Sequence, residues 1–232
     1  MQKIKTAFVL GAGLGTRLRP LTDNTPKPML PVGGIPLIAR IFADLVNAGI
    51  MRIIVNTHHA AYKYAEEFPS NTFMGAELIF VHEEKLLDTG GGLKNILPLL
   101  KEDAGILVYN GDILYTGNIA KFLNDFENSQ AEASLVLRSA GAVCNVSVCG
   151  EYVCDMRGIL GAEYDVKMQF CGVFAASRKV LDAFAARSDN VFSTVDVLVD
   201  FIKQNPESVK AYADDESQWS DIGTAEEYLR VK

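Results

Sequence analysis

Thr6-Ala-Phe-Val-Leu10, then Gly11-Ala-Gly-Leu-Gly-Thr-Arg-Leu-Arg-Pro20, then Leu21-Thr-Asp-Asn-Thr-Pro-Lys-Pro-Met-Leu30 is the stretch whose reading decides the fold. The apolar run of five predicts a buried strand. Glycines at 11, 13 and 15 follow at once, where a backbone must turn sharply and come close to a ligand. The N–H groups of such a loop, in a turn or at a helix start, make a cradle for anions. Arg17 and Arg19 add fixed cations suited to phosphate oxygens. Lys27 sits between two prolines, which stiffen the backbone on both sides. Strand, glycine loop, arginine and clamped lysine together predict a site for a polyphosphate.

Two other phosphate loops fit less well. A P-loop needs Lys-Ser or Lys-Thr after its glycines, and none is present here. The dinucleotide fingerprint needs a third glycine where Thr16 stands, and an acidic residue at the end of the second strand. That strand, Arg52-Ile-Ile-Val-Asn56, ends in Asn56. A dehydrogenase reading is disfavoured on both counts.

The chain has 232 residues, 49% of them apolar, which suits one domain spanning 1–232. Lys and Arg number 22 against 29 Asp and Glu, a net charge of −7. That balance argues against a nucleic-acid surface. No apolar run approaches the ~20 residues of a membrane span, and with the first strand opening at once the expectation is that no signal peptide is present. The expectation is a cytoplasmic protein that binds neither nucleic acid nor membrane, as a monomer or a dimer. The four cysteines, at 144, 149, 154 and 171, match no C-x-x-C pair. They lie in expected strands, and buried reduced thiols are the expectation.

Taken in order, apolar residues at 37, 38, 41, 42, 45 and 46 keep helical spacing, and Gly49 closes the helix. Strands follow at 53–56 and 77–82, with His58 and His59 between them. Adjacent histidines do not share a helical face, so a loop or rim role outranks metal ligation. A polar loop, 83–88, leads to Thr89-Gly-Gly-Gly92 and a helix over 93–100. The glycines read either as close approach to a ligand or as a flexible cap. Gly105 to Asp112 reads as a fourth strand ending in an acid. Asn110-Gly111 is also a hairpin signal, but the sequence beyond leads to a helix over 119–126. Asp112 is thus expected at the carboxyl end of a parallel strand, where open α/β sheets place ligands. The second part of the chain reads differently: a strand at 133–137, a hairpin of 143–149 with 152–156 around Gly150-Glu151, strands at 170–175 and 209–213, and helices from 178 and over 194–204. The expected fold is α/β, a Rossmann-like doubly wound sheet, mixed but mostly parallel, with a small β-hairpin subdomain. Residues 1–128 form one half and 129–232 the other.

Residues 10–38 resemble the signature of sugar-1-phosphate nucleotidylyltransferases, L-A-A-G-x-G-[ST]-R-[LM]-x-P-L-T, then P-K-P, then V-x-G-x-P-[LM]-[IL]. Here these are Leu10-Gly-Ala-Gly-Leu-Gly-Thr-Arg-Leu-Arg-Pro-Leu-Thr22, Pro26-Lys-Pro28 and Val32-Gly-Gly-Ile-Pro-Leu-Ile38. The one departure is Gly11 for alanine, expected to make the loop slightly more mobile. The resemblance implies a nucleotide-diphospho-sugar transferase fold, and as partners a nucleoside triphosphate and a sugar 1-phosphate, with Mg²⁺ as cofactor. It implies catalytic roles for Arg17 and Lys27. Nucleotide contacts would come from Leu10, Gly11, Ala12, Gly13, Gly15, Thr16, Arg17, Thr89, Gly90, Gly91 and Asn110, and sugar contacts from Asn145, Glu163 and Gly172. Mg²⁺ prefers one or two carboxylates plus phosphate oxygens and waters. Asp112 is the first candidate. Asp221, in a Trp219-Ser-Asp-Ile-Gly-Thr224 segment similar to the family's W-x-D-[IV]-G-T, is the second; a helix-terminal acid is its alternative reading. Leu87-Asp-Thr-Gly-Gly-Gly92 looks like the L-[ED]-T-G-G-G of N-acetylmuramate-1-phosphate uridylyltransferases, which implies UTP and N-acetylmuramate 1-phosphate. Mannose-1-phosphate guanylyltransferase is the alternative within the family. A catalytically inactive nucleotide-binding relative is the alternative of a different class, and the presence of Arg17, Lys27, Asp112 and Asp221 argues against that. Arg138, Arg157 and Lys167 are the cations in the sugar half that could meet a lactyl group, although a surface role is the default for each.

Overall fold

The structure, a computed structural model, describes residues 3–232. Among the described residues, the chain runs β1 (Thr6–Leu10), β2 (Pro31–Val32), β3 (Ile35–Pro36), α1 (Leu37–Asn47), β4 (Arg52–Thr57), α2 (Tyr62–Glu67), β5 (Thr72–Phe73), β6 (Ala76–His82), α3 (Asp88–Ile96), β7 (Gly105–Asn110), β8 (Ile113–Tyr115) and α4 (Ile119–Glu127). It continues with β9 (Ala133–Arg138), β10 (Val146–Cys149), β11 (Tyr152–Met156), β12 (Val166–Ser177), α5 (Arg178–Ala186), α6 (Thr194–Gln204), β13 (Val209–Ala213), β14 (Trp219–Asp221) and α7 (Ala225–Val231).

The first half is the doubly wound unit expected. β6, β4, β1 and β7 lie side by side and parallel, with Leu10 opposite both Asn56 and Asn110. These strands read as unbroken apolar runs because both their faces are covered. Ala7 and Val9 of β1 enter one core, with α1 and α4, while Phe8 enters the other, with α3, α5 and α6. β7 divides in the same way: Leu107 and Tyr109 face the first core, Ile106 and Val108 the second.

Beyond β7 the sheet departs from expectation. β12 lies antiparallel to both β7 and β9, β13 runs parallel to β9, and the β10–β11 hairpin packs antiparallel at the far edge. Four strand pairs of the large sheet are parallel and six antiparallel, so it is mixed rather than mostly parallel. The reason is connectivity. Parallel neighbours need a crossover of a dozen or more residues, whereas a chain that turns back on itself, as β10, β11 and β12 do, pairs antiparallel.

Three further expectations are corrected. The three glycines at 90–92 lie inside α3 rather than in a loop before it. Ile113–Tyr115, given no strand by its sequence, is β8; it pairs with β14 and not with β7, so Asn110-Gly111 closes no hairpin. Of the four cysteines only Cys171 is buried. Gly11 also has a packing role: a methyl group there would stand 2.8 Å from the Asn56 carbonyl oxygen and 2.9 Å from Val55 Cγ1. Among the described residues no helix is long and apolar enough to cross a membrane.

Candidate active site

β1 delivers the glycine loop to the carboxyl edge of the parallel strands, and Asn56 at the neighbouring edge holds it. The Gly11 N–H donates to Asn56 Oδ1 at 2.8 Å, and Asn56 Nδ2 donates to Glu83 Oε1 at 2.8 Å. Tyr64, fully buried, donates its hydroxyl to the Gly11 carbonyl at 3.3 Å. The Asn56 that disfavours a dinucleotide site is therefore a brace for the loop. Because Asn56 occupies the Gly11 N–H, the loop donors left to a ligand begin at Ala12. Gly15 takes the left-handed conformation that starts a short 3₁₀ turn over Thr16–Leu18.

Lys27 opens a second 3₁₀ turn, Lys27–Met29, and its side chain is 9% exposed. Its Nζ donates to Asp112 Oδ2 at 2.6 Å and reaches Asp221 Oδ1 at 3.5 Å. The two aspartates meet because β14 pairs with β8: Asp221 lies opposite Ile113, and the Ile222 N–H donates to the Asp112 carbonyl at 3.0 Å. Both carboxylates are partly open, 37% and 40% exposed. Burial pushes the Asp221 carboxyl above the usual carboxylate range; the charge of Asp112 adds to this, and Lys27 opposes it. One lysine thus faces two acids, and the cluster carries excess negative charge. Two partly open carboxylates with that imbalance fit a divalent cation that takes its remaining ligands from phosphate and water. Among the described residues no group of three or more His, Cys, Asp or Glu side chains gathers at one point.

Two cavities meet at this cluster. The first, about 300 Å³, is lined by Leu10, Ala12, Gly13, Thr89, Asn110, Lys27 and Asp112 among the expected residues. It is also lined by Asn56, Glu83, Leu86 and Asp88, which sequence reasoning did not assign to a ligand. The second, about 280 Å³, shares Asn110 and Asp112 with the first and reaches Asp221, Asn145, Gly172, Gln169, Trp219 and Arg157. Gly172, at φ +82°, leaves room for Asn110, whose Nδ2 would stand 2.8 Å from a methyl group there.

Other expected residues stand elsewhere. Gly11, Gly15, Thr16 and Arg17 do not line the first cavity. Arg17 is exposed, and its Nη2 and Asp221 Oδ1 would each lie 3.3 Å from a methyl group on Gly223, which puts the guanidinium beside the aspartate loop. Gly90 and Gly91 face the 190–192 loop: both N–H groups donate to the Phe192 carbonyl, and a methyl group on Gly91 would stand 2.2 Å from the Asn190 carbonyl oxygen. Glu163 lines neither cavity; its carbonyl faces Cys149 and Cys154. Of the three cations considered for a lactyl group, Arg157 lines the second cavity, Arg138 lies over the Trp219 ring and Lys167 over that of Tyr164. His58 donates Nδ1–H to the Glu83 carbonyl and His59 donates Nε2–H to that of Thr22, so both tie loops of the rim together.

Residues 6–145 match the nucleotidyl transferase family. The chain is 31% identical over 230 residues to the mannose-1-phosphate guanylyltransferase of Mycobacterium tuberculosis, covering 97% of this chain and 62% of that protein. The chain therefore spans less than two thirds of that relative's length. It is 38% identical over 109 residues to the N-acetylmuramate alpha-1-phosphate uridylyltransferase of Neisseria meningitidis, covering 47% of each. Among solved structures, a putative glucose-1-phosphate thymidylyltransferase from Bacillus anthracis superposes with a TM-score of 0.84 at 19% identity, over 98% of this chain and 93% of that one.

Proposed function

The chain belongs to the nucleotidyl transferase family, and from that premise we propose that it transfers a nucleotidyl group from a nucleoside triphosphate to a sugar 1-phosphate. A phosphate oxygen of the sugar 1-phosphate forms a bond to the α-phosphorus, the bond from that phosphorus to the bridging oxygen breaks, and pyrophosphate leaves. The observation that carries this reading is Lys27 Nζ, held by Asp112 and Asp221 where two cavities meet. Two anions must approach there, and alignment with charge neutralisation is the main catalytic demand of phosphoryl-type transfer.

In this reading the first cavity takes the nucleotide and the second the sugar. Ala12 and Gly13 present backbone to the phosphates, and Lys27, nearly buried in the first cavity, supplies a fixed cation against Asp112, which lines both cavities. A nearly buried cation needs no reorganisation as charge develops in the transition state. Arg17 lies outside both cavities and beside the Asp221 loop, a position suited to the outer phosphates. Asp112 and Asp221 would hold Mg²⁺, which would neutralise the triphosphate and the departing pyrophosphate.

For the substrate pair the reading is UTP with N-acetylmuramate 1-phosphate. Arg157 at the sugar-side cavity supports it, because a guanidinium pairs well with a carboxylate such as that of a lactyl ether. The Leu87–Gly92 resemblance supports it less, because Gly90 and Gly91 pack against protein. GTP with mannose 1-phosphate is the second reading, favoured by the Mycobacterium tuberculosis relative matched along nearly the whole chain. Pyrophosphate release measured over a matrix of triphosphates and sugar 1-phosphates separates them. Highest kcat/KM for UTP with N-acetylmuramate 1-phosphate is expected. Clear preference for GTP with mannose 1-phosphate would replace the first reading by the second, and no release with any pair would overturn the class.

A further inference from the structure

On the sugar-side hairpin, two cysteines stand together that the proposed reaction does not use. Cys149 ends β10, Cys154 lies in the middle of β11, and their Sγ atoms are 2.9 Å apart. The local sequence explains why. Gly150, at φ +57°, and Glu151 make a two-residue turn, so Cys149 faces Tyr152. Val148 then faces Val153 but Ser147 faces Asp155, so Cys154 is the extra residue of a β-bulge. Bulges bend a strand and re-aim a side chain, and here the bulge residue sits against the hairpin's other thiol. Both cysteines are only half-buried, whereas Cys171 is buried.

We propose that Cys149 and Cys154 form a reversible intramolecular disulfide by exchange with a small-molecule disulfide such as oxidised glutathione. The sulfurs already lie within about 1 Å of the bonded length of ~2.05 Å, so closure needs only a small movement of the hairpin. A shared zinc ion fits less well: two thiolates on a tetrahedral zinc at ~2.3 Å would stand ~3.8 Å apart, farther than these sulfurs do. Burial and the contact with Cys149 push the Cys154 thiol up to about 12. Whichever of the two thiols first loses its proton attacks the incoming disulfide, forming a mixed disulfide and releasing one glutathione thiolate. The other thiol then loses its proton and attacks the protein sulfur of that mixed disulfide, displacing the second glutathione thiolate. Two S–H bonds are lost, one protein S–S bond forms, and one small disulfide is reduced to two thiols. The crosslink closes a short loop, and a cell compartment rich in reduced glutathione reopens it. β11 runs directly into Met156 and Arg157, which line the sugar-side cavity, so the crosslink stiffens the wall that the acceptor sugar meets.

The test needs no assay of activity. The intact protein is equilibrated in glutathione buffers of rising disulfide fraction, quenched with an alkylating reagent, and its free thiols are counted by mass and mapped to peptides. Two of the four thiols should disappear together at one midpoint, as Cys149 and Cys154 joined in one peptide, and return with dithiothreitol. Cys149→Ser and, as a second variant, Cys154→Ala should each abolish the paired loss while leaving Cys171 unchanged. Stepwise glutathione adducts, a bond that includes Cys144, or four thiols that stay alkylatable throughout would each overturn the proposal; the wild-type mapping alone decides it even where a variant folds poorly.

Discussion

Gly91→Ala separates two roles that glycine serves in this chain. In a helix interior alanine is favoured over glycine by about 1 kcal/mol, so propensity alone predicts a more stable protein. The structure predicts the reverse. A methyl group on Gly91 would stand 2.2 Å from the Asn190 carbonyl oxygen and 3.0 Å from Leu87 Cβ. The first neighbour is backbone and cannot rotate away, so α3 and the 190–192 loop must separate. That movement also strains the two N–H groups that the Phe192 carbonyl accepts, at 2.9 and 3.2 Å. Overpacking of this kind costs about 1–3 kcal/mol, and the backbone clash puts this site toward the upper end. After the propensity gain the net loss should be about 1–2 kcal/mol. For a chain of this length that is a fall in Tm of about 2–8 °C. Gly13→Ala is the counterpart: no atom lies within 4 Å of its added methyl group, and Gly13 lines the first cavity. Its stability should stay within about 0.5 kcal/mol of the parent, while triphosphate binding weakens about tenfold, the size of one lost charge-assisted hydrogen bond. Denaturant titration with a common m-value and calorimetric triphosphate binding measure both. A Gly91→Ala protein as stable as its parent but unable to bind triphosphate would refute the packing account and restore the glycines to the ligand.

Three further outcomes are expected. Lys27→Ala should lower kcat about 10²–10³-fold in a pyrophosphate-release assay, because it removes the fixed cation that faces both carboxylates; a near-normal kcat would remove Lys27 from the mechanism. Asp221→Asn should abolish turnover yet raise Tm at neutral pH. The folded protein holds the Asp221 proton more tightly than the unfolded chain, so ionisation costs stability as pH rises through the raised value; the gain from Asn should shrink on acidification and be gone below the ordinary value of 3.8, and a gain that persists there would contradict the charge account. Asn56→Ala should cost about 2–3 kcal/mol in denaturant titration, since it leaves the Gly11 N–H and one buried Glu83 oxygen without their partner; a loss below about 0.5 kcal/mol would show that the glycine loop holds its shape without this brace.

What the sequence revealed and what it hid divide along the range of the interactions involved. β1 and the Gly11–Gly15 loop could be read because strand, turn and stiffened lysine are written in one continuous stretch. Thr194–Gln204 was read to the residue because its period is sustained; in the structure Ser193 caps it, with Asp196 reciprocating. The glycines at 90–92 were misplaced because composition alone cannot tell a backbone that approaches a ligand from one that approaches protein. Only the 190–192 loop, about a hundred residues on, decides between them. β8 was missed for a related reason: three residues carry no period, and its partner β14 is equally short. Yet that pair of weak strands sets Asp221 opposite Ile113 and so brings the second carboxylate to Lys27. The resemblance at Trp219–Thr224 pointed to Asp221; the physics of its own segment did not, since an acid ahead of a helix is equally explained by the helix dipole. Asn56 shows the converse. It first counted only as the missing acid of a different fold, and its own contribution, a side-chain amide bridging the Gly11 N–H and Glu83, appears only when three strand ends are brought to one edge of the sheet. The residues hardest to read from sequence are therefore the polar ones whose partners come from distant segments, and in this protein they include Asn56 and Glu83 of the first cavity and Asp221 of the second.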